Sequence, residues 1–359
     1  MKVGIITFHF AHNYGAMLQA HALMQAINQL GHDAKIIDYI PNKLEKEYSM
    51  NPFNNKDSIK SFIKSILKMP IRIKQYKLFE DFLKNEMNLT SKVSQYNELN
   101  KLSQEFDAII VGSDQVWNDG ITGEIEVYFL NFCEKNTKKI SYAASLGTSE
   151  ASKYIKNCIH KFLPEFDLVT VRENIGRDII LQEINDKSIY QVMDPVFLMD
   201  IDYWKDKAQQ VTVKRNPYIL YYSLQKNPKL EMLTEKAADE YGVEILSIHP
   251  LTTRQKINAK QLNNVGPLEF LDLIRNAELV CTNSFHAVAF SIIFKKRLLH
   301  IAHSKLNSRV EGLLENLEVE VKVDSDNLKE LIITDDMINY DKLVEITDNS
   351  REYLMKGLL

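Results

Sequence analysis

The chain predicts an α/β protein of two Rossmann-like domains facing across a cleft, residues 1–205 forming the first and 206–359 the second. Three observations carry this reading. Short apolar runs alternate with amphipathic stretches along most of the 359 residues, the rhythm of a parallel sheet with helices on its faces. The rhythm pauses at a polar stretch, DKAQQVTVKRNP (206–217), and then resumes. The loops richest in functional side chains follow strands in both halves, where open α/β sheets bind ligands.

The first half opens on a buried-strand pattern, Val3 to Phe8. The loop HFAHNYG leads into a helix with Ala16, Ala20, Leu23, Met24, Ile27 and Leu30 on one face, and Gly31 stops it. DAKIIDY (33–39) is the second strand, which completes a βαβ unit. Residues 41–100 are rich in Lys and Asn and read as a helical insertion. Ile59, Phe62, Ile63, Ile66 and Leu67 lie at helical spacing, Pro70 interrupts, and a second helix covers about 75 to 88. Further strands are expected at 106–118, 138–145, 168–172 and 190–197, with helices near 149–163 and 174–183. The second half offers strands at 218–224, 243–248, 278–283, 297–302 and 319–323. Its helices fall at about 228–241, 267–276, 285–295 and 306–316, and the tail forms a final helix.

Composition narrows the function classes. Lys and Arg total 44 against 48 Asp and Glu, a formal net charge of −4, which gives no general electrostatic case for nucleic acid. Cys133, Cys158 and Cys281 are widely spaced and odd in number, which argues against a disulfide framework or a cysteine metal site. There is no apolar run of about 18 residues and no cleavage-site pattern after the first strand, so a cytoplasmic location is the expectation.

Four loops hold candidate chemistry. In HFAHNYGAMLQA, Asn13 is a possible N-cap and Gly15 a turn residue that would aim helix N–H groups at an anion. Neither GxGxxG nor GxxxxGK is present, so no dinucleotide site or phosphate loop is indicated. His9, His12 and His21 lack the accompanying carboxylate or cysteine pattern of a metal site. In VGSDQVWN, Asp114, Gln115 and Trp117 offer an acid, an amide and a ring face, a set suited to a polyhydroxylated ligand. The other reading is a stabilised turn with Trp117 buried. In LVTVRENIGRD, Arg172 ends a strand and can fork a carboxylate or phosphate, or pair with Glu173. In ELVCTNSFHAVAFSIIF, Asn283 and Ser284 precede a buried helix whose first turn holds His286. A histidine there is either a packed core residue or a titrating group beside an anion site. Lys305, Asn307 and Arg309 form a polar, basic loop that could close over the same anion.

NYGAMLQAHAL, VGSDQVWN, VRE, DPVF, TNSFHAVAFSI and NSRVEGLLENL stand in the order typical of the polysaccharide pyruvyl transferase family, which the chain resembles from residue 3 to about 316. The resemblance implies a GT-B-like fold, with the C-terminal helix packing back on the first domain. It implies transfer of a pyruvyl group from phosphoenolpyruvate, as co-substrate, to a sugar of a cell-surface polysaccharide or its lipid-linked precursor, forming a ketal. No metal or redox cofactor is expected. His286 and Arg172 become the catalytic pair, and Asn283, Ser284, Lys305, Asn307 and Arg309 the donor-binding set in the second domain. Asn13, Tyr14, Gln19, Asp114, Gln115 and Trp117 become the acceptor side. Ser284 stands where many members carry an arginine two residues before the histidine. Arg309 or Lys305 then supplies that charge, or this branch uses another donor. The alternatives to pyruvyl transfer are a GT-B glycosyltransferase using a nucleotide-activated sugar and a non-catalytic sugar- or anion-binding relative. A lipid-linked acceptor would place the protein at the inner face of a membrane. Lys56, Lys60, Lys64, Lys68, Arg72, Lys74 and Lys77, in the segment 56–77, could rest there on anionic headgroups.

Overall fold

The computed structural model describes residues 1–41, 69–123, 125–134, 136–184, 188–249, 257–302, 308–320, 325 and 327–359. The first sheet is built from β1 (Lys2–Ile6), α1 (Tyr14–Gln29), β2 (Asp33–Ile36), α2 (Met69–Glu86), α3 (Tyr96–Ser103), β3 (Ala108–Val111), β4 (Lys138–Ala144), α4 (Lys153–Phe162), β5 (Leu168–Val171), α5 (Asn174–Glu183) and β6 (Ile189–Gln191). Its six strands are parallel and run in the order β2-β1-β3-β4-β5-β6. All four residues of β3 are buried, which is why this strand reads as a continuous apolar run and not as an alternation.

The chain then passes through α6 (Ile201–Gln209) into β7 (Tyr218–Tyr222), α7 (Pro228–Tyr241), β8 (Glu244–Ile248), β9 (Lys260–Leu262), α8 (Pro267–Asn276), β10 (Leu279–Thr282), α9 (Phe285–Ile293), β11 (Leu298–His300), α10 (Ser308–Asn316), β12 (Ile332–Ile333) and α11 (Tyr340–Leu358). This second sheet runs β12-β11-β10-β7-β8-β9, parallel except for the β11–β12 pair. In each sheet the strand order reverses once beside the first strand, between β1 and β3 and between β7 and β10. A doubly wound sheet opens a crevice at that point, where neighbouring loops leave in opposite directions.

The halves share a continuous apolar core. Tyr14, the first residue of α1, stacks on Phe270 of α8 at 4.7 Å and donates its hydroxyl to Val265 O. The C-terminal helix returns to the first domain as expected. Ser350 Oγ accepts from Met193 N at 2.9 Å, Arg351 donates to Leu198 O at 2.8 Å, and Tyr353 stacks on Tyr190 at 4.2 Å. Gly357 lies against Leu168 and Ile140, where an added Cβ would come within 3.0 Å of the Leu168 side chain.

Helix α6 spans residues 205 and 206 and packs on α8. Several expectations about single elements are corrected. The strand expected at 190–197 stops at Gln191, because Asp194 and Pro195 begin a short 3-10 turn capped by the Asp194 carboxylate. No strand covers Val319 and Glu320, and residues 321–324 lie outside the described residues. The sheet edge there is the two-residue β12, too short to leave a pattern. Strand β9 went unread because its sequence, KQL, is exposed and polar. Pro70 is the second residue of α2 as described, and the helical stretch expected at 59–67 before it lies outside the described residues. Residues 56–68 of the basic segment lie outside the described residues, and 69–77 belong to α2. Among the described residues no helix is long and apolar enough to cross a membrane.

Candidate active site

The two crevices open on one cavity. The loops after β1 and β3 bring Asn13, Asp114 and Gln115 to its wall. The loops after β7 and β10 bring Leu224, Gln225, Asn283 and Ser284, and the start of α9 brings His286. His300, at the end of β11, and Arg309 complete it, around a space of about 100 Å³. The topology assembles this constellation, since each contributor follows a strand at or next to a point of reversal.

His286 is buried, yet it is not an ordinary core residue. Its Nε2 lies 3.5 Å from Asp194 Oδ2 and makes no hydrogen bond among the described residues. Its other face rests on the backbone of Gly15, where a Cβ would fall 2.1 Å from Nδ1. Gly15 therefore allows the close approach of the second domain's imidazole to the first turn of α1. Asn13 caps that turn, accepting from Gly15 N at 3.0 Å and Ala16 N at 3.4 Å.

Asp194 is the hub. Its Oδ2 accepts from Arg172 Nη1 at 2.8 Å and Ser113 Oγ at 2.8 Å. Its Oδ1 accepts from Val196 N at 3.2 Å. Burial pushes this carboxyl up, but attraction to His286 and Arg172 outweighs it and holds the group well below the usual range. Arg172 is equally committed. Its Nε donates to Glu173 Oε1 at 3.0 Å, its guanidinium lies 4.8 Å from the Phe285 ring centre, and Nη2 has no partner among the described residues. Burial opposes its charge, and Glu173 and Asp194 more than restore it. The ion-pair reading of Arg172 is met by its bonds to Glu173 and Asp194, a third bond goes from Nη1 to Ser113 Oγ at 3.2 Å, and the Nη2 group is left over.

Arg309 lies on the cavity wall, where burial and the like charge of Arg172 lower its pKa from the ordinary arginine value. With the Gln115 amide turned so that its oxygen faces the guanidinium, that oxygen accepts from Arg309 Nη2 at 3.1 Å and Nη1 at 3.3 Å. Arg309 and Ser284 line the same cavity. The Ser284 side chain makes no cap bond to α9, which leaves that helix terminus uncapped by a side chain at the cavity. Lys305 and Asn307 lie outside the described residues.

The remaining assignments divide. Asn283 lines the cavity, but its amide braces the β7 loop, accepting from Leu224 N at 2.8 Å and donating to Gln225 O at 3.3 Å. Asp114 also lines it, with the uncommon φ of 88° that Asp tolerates better than most residues. Three residues expected on the acceptor side lie buried away from the cavity wall. Trp117 is fully buried, stacked on Phe129 and donating to Tyr128 O, because the turn folds its ring inward. Tyr14 is buried in the contact between domains. Gln19 is buried and bonds Thr7 Oγ1 and Ala16 O, which fixes the β1 loop. His9, His12 and His21 do not converge: His9 bonds Asp38 at 3.1 Å, His12 packs on Tyr76, and His21 bonds Glu86 O.

Sequence reasoning missed three residues. Asp194 stood in DPVF without a role, although an acid directly after a strand and before proline is a cap signal. Gly15 was read as a turn residue, and nothing in the sequence shows what lies opposite it. His300 was read only as part of a strand. Its Nδ1 bonds Thr282 O at 3.1 Å, its Nε2 has no partner among the described residues, and burial lowers its pKa to about 4 despite that bond.

Comparison with known proteins bears on the fold and the family. No curated protein matches the sequence. Among solved structures, the chain is similar to a protein described as a UDP-N-acetylglucosamine 2-epimerase from Listeria monocytogenes. The TM-score is 0.52 at 10% identity, over 99% of this chain and 90% of that one. The UDP-GlcNAc 2-epimerase of Methanocaldococcus jannaschii gives a TM-score of 0.48 at 16% identity, over 97% of this chain and 92% of that one. At 10% identity the likeness to the first of these is one of fold alone. The family model for polysaccharide pyruvyl transferase matches residues 13–305. That span runs from the cap of α1 to residue 305 and takes in Arg172, Asp194 and His286, so the chain belongs to the polysaccharide pyruvyl transferase family.

Proposed function

We propose that the protein transfers a pyruvyl group from phosphoenolpyruvate to a sugar of a polysaccharide or its lipid-linked precursor, and that the product is a ketal bridging two hydroxyls. The observation that carries this reading is a cavity on which both crevices open, lined by His286, whose Nε2 lies 3.5 Å from Asp194 with no hydrogen bond among the described residues, by Arg309 and by an uncapped helix terminus. A doubly charged donor suits these groups, because helix N–H groups and a guanidinium both favour anions.

Ketal formation moves two protons. One hydroxyl oxygen bonds to C2 of the donor, and the C2=C3 electron pair takes a proton at C3 to give a methyl group. Phosphate then leaves C2, and the second hydroxyl closes the ring as its proton departs with the phosphate. His286, beside the Asp194 carboxylate, is placed to deliver the proton to C3 by general acid catalysis. His300, on the same wall with Nε2 open, is placed to take the proton of the attacking hydroxyl. No cofactor enters this scheme.

The test is to incubate the enzyme with phosphoenolpyruvate and p-nitrophenyl glycosides of galactose, glucose, mannose and N-acetylmannosamine. Phosphate release and the mass of the glycoside are followed. PEP-dependent phosphate release coupled to a pyruvyl mass gain is expected, and its loss in His286→Ala. Turnover of a nucleotide-activated sugar with none of phosphoenolpyruvate would overturn the reading.

A further inference from the structure

We propose that a second cavity, next to the first, holds the acceptor sugar. It measures about 300 Å³ and lies beyond the carboxyl ends of β5 and β6, closed by α10 and α11. This inference rests on the pyruvyl transfer reading above. With Trp117, Tyr14 and Gln19 buried elsewhere, most of the wall expected to hold a sugar is gone.

The second cavity supplies what is missing. Arg309 and Phe285 belong to both cavities, so a ligand in one borders a ligand in the other. A transfer reaction needs that adjacency, because the hydroxyl must reach the donor carbon. The chemistry of the wall suits a polyhydroxylated ring. Gln191, Asn316 and Asn349 present side-chain amides. Gln191 spends one donor on Arg172 O, whereas the amides of Asn316 and Asn349 have no protein partner among the described residues. Arg172, with its unpartnered Nη2, lines this cavity and not the first. Paired amides and a guanidinium donor can bind vicinal hydroxyls bidentately. Phe197 and Phe285 give the apolar surface on which a ring face can lie. The volume is at the small end for a ligand site, which fits one monosaccharide unit with the rest of the chain outside.

Gly312 makes the idea testable without disturbing the fold. It lies on this wall in the middle of α10, and a Cβ there would meet nothing within 4 Å. A side chain added at this position projects into open space and favours the helix. Gly312→Trp should plug the cavity, and Met232→Trp, on the exposed face of α7 and away from both cavities, serves as the control. The expected result with the glycoside that wild type uses is an acceptor KM raised at least tenfold in Gly312→Trp, with the dissociation constant of phosphoenolpyruvate, measured by calorimetry, within twofold of wild type. Met232→Trp should behave as wild type. Normal acceptor kinetics in the plugged variant overturn the acceptor site, as does a loss of phosphoenolpyruvate binding, which would make this cavity the donor's. A wild-type enzyme that releases no phosphate from phosphoenolpyruvate with any glycoside overturns the pyruvyl transfer reading itself, a result distinct from either.

Discussion

Gly15→Ala tests the placement of His286 without touching its chemistry. The added methyl would lie 2.1 Å from Nδ1, 2.2 Å from Cγ and 2.6 Å from Cβ of the imidazole. Ordinary contact begins near 3.4 Å, so the ring and the start of α1 must separate by about 1.3 Å. Two energies oppose each other. Alanine in place of a helical glycine gains about 0.5–1 kcal/mol, and overpacking costs about 1–3 kcal/mol. The net loss of stability is therefore modest, and the variant should fold. Catalysis has no such compensation. An ångström of misplacement costs about 100-fold in rate, and the Nε2 of His286 already stands at 3.5 Å from Asp194. The assay is PEP-dependent phosphate release alongside thermal melting by circular dichroism. A fall in kcat of about 100-fold is expected with the melting transition lowered by only a few degrees. A Gly15→Ala enzyme as active as wild type would show that His286 need not occupy this position, and the mechanism built on it would fail.

Other consequences follow from the same contacts. Arg172→Met should lower stability by about 3–5 kcal/mol, because it strands Glu173 and Asp194 as buried, unpaired carboxylates; denaturant melts measure it, and a loss of donor use with stability intact would contradict the ion-pair geometry. Arg309→Gln should weaken phosphoenolpyruvate binding about 10- to 100-fold in calorimetry, the range of a bond to a charged group, while the fold persists. His300→Asn retains a donor for Thr282 O but lacks Nε2, so it should lose kcat as fully as His300→Ala; recovery in the asparagine variant alone would leave His300 a purely structural role. His21 and His300 both have pKa values lowered from 6.5 to about 4. Between those values the unfolded chain binds more protons, so their contribution is complete above pH 6.5 and fades as pH falls toward 4. The melting temperature should drop across that window, and His21→Gln should flatten the slope.

What the sequence made legible follows the strength of its periodic signals. The helices 174–183, 228–241 and 267–276 coincide with α5, α7 and α8, because each has a defined amphipathic face and two begin with a proline in the first turn. The central strands were legible because both faces are buried, and the edges β9 and β12 were not, being polar in one case and two residues long in the other. The site was legible where a loop after a strand carried a charged or titrating residue, as at Asp114, Arg172, His286 and Arg309. It failed where the direction of a side chain decides. Tyr14, Gln19 and Trp117 stand in the right loops, yet each points into packing that only the assembled domains define. Gly15 is the inverse case: its role is set by a ring 271 positions away in the chain.

The electrostatics of the site depart from a simple cationic pocket. Arg172 and Arg309 face Asp114, Glu173 and Asp194, so the formal charges of these five groups sum to −1. Arg172 is already neutralised by two of the carboxylates. A donor carrying both carboxylate and phosphate therefore cannot draw on Arg172 at full strength without weakening the bonds that hold Asp194 beside His286. The physical solution is a division of labour. On the pyruvyl transfer reading, His286 and Arg172 together keep Asp194 ionised, and the donor would fall to Arg309 and the uncapped start of α9. That division makes Asp194 a positioning residue. Asp194→Asn should lower kcat far more than it changes donor affinity. It should also remove a stabilising charge whose contribution is complete above the ordinary carboxyl value of 3.8 and is lost as pH falls below it. A variant in which donor affinity falls while kcat holds would place Asp194 on the binding side instead, and the assignment of Arg172 would change with it.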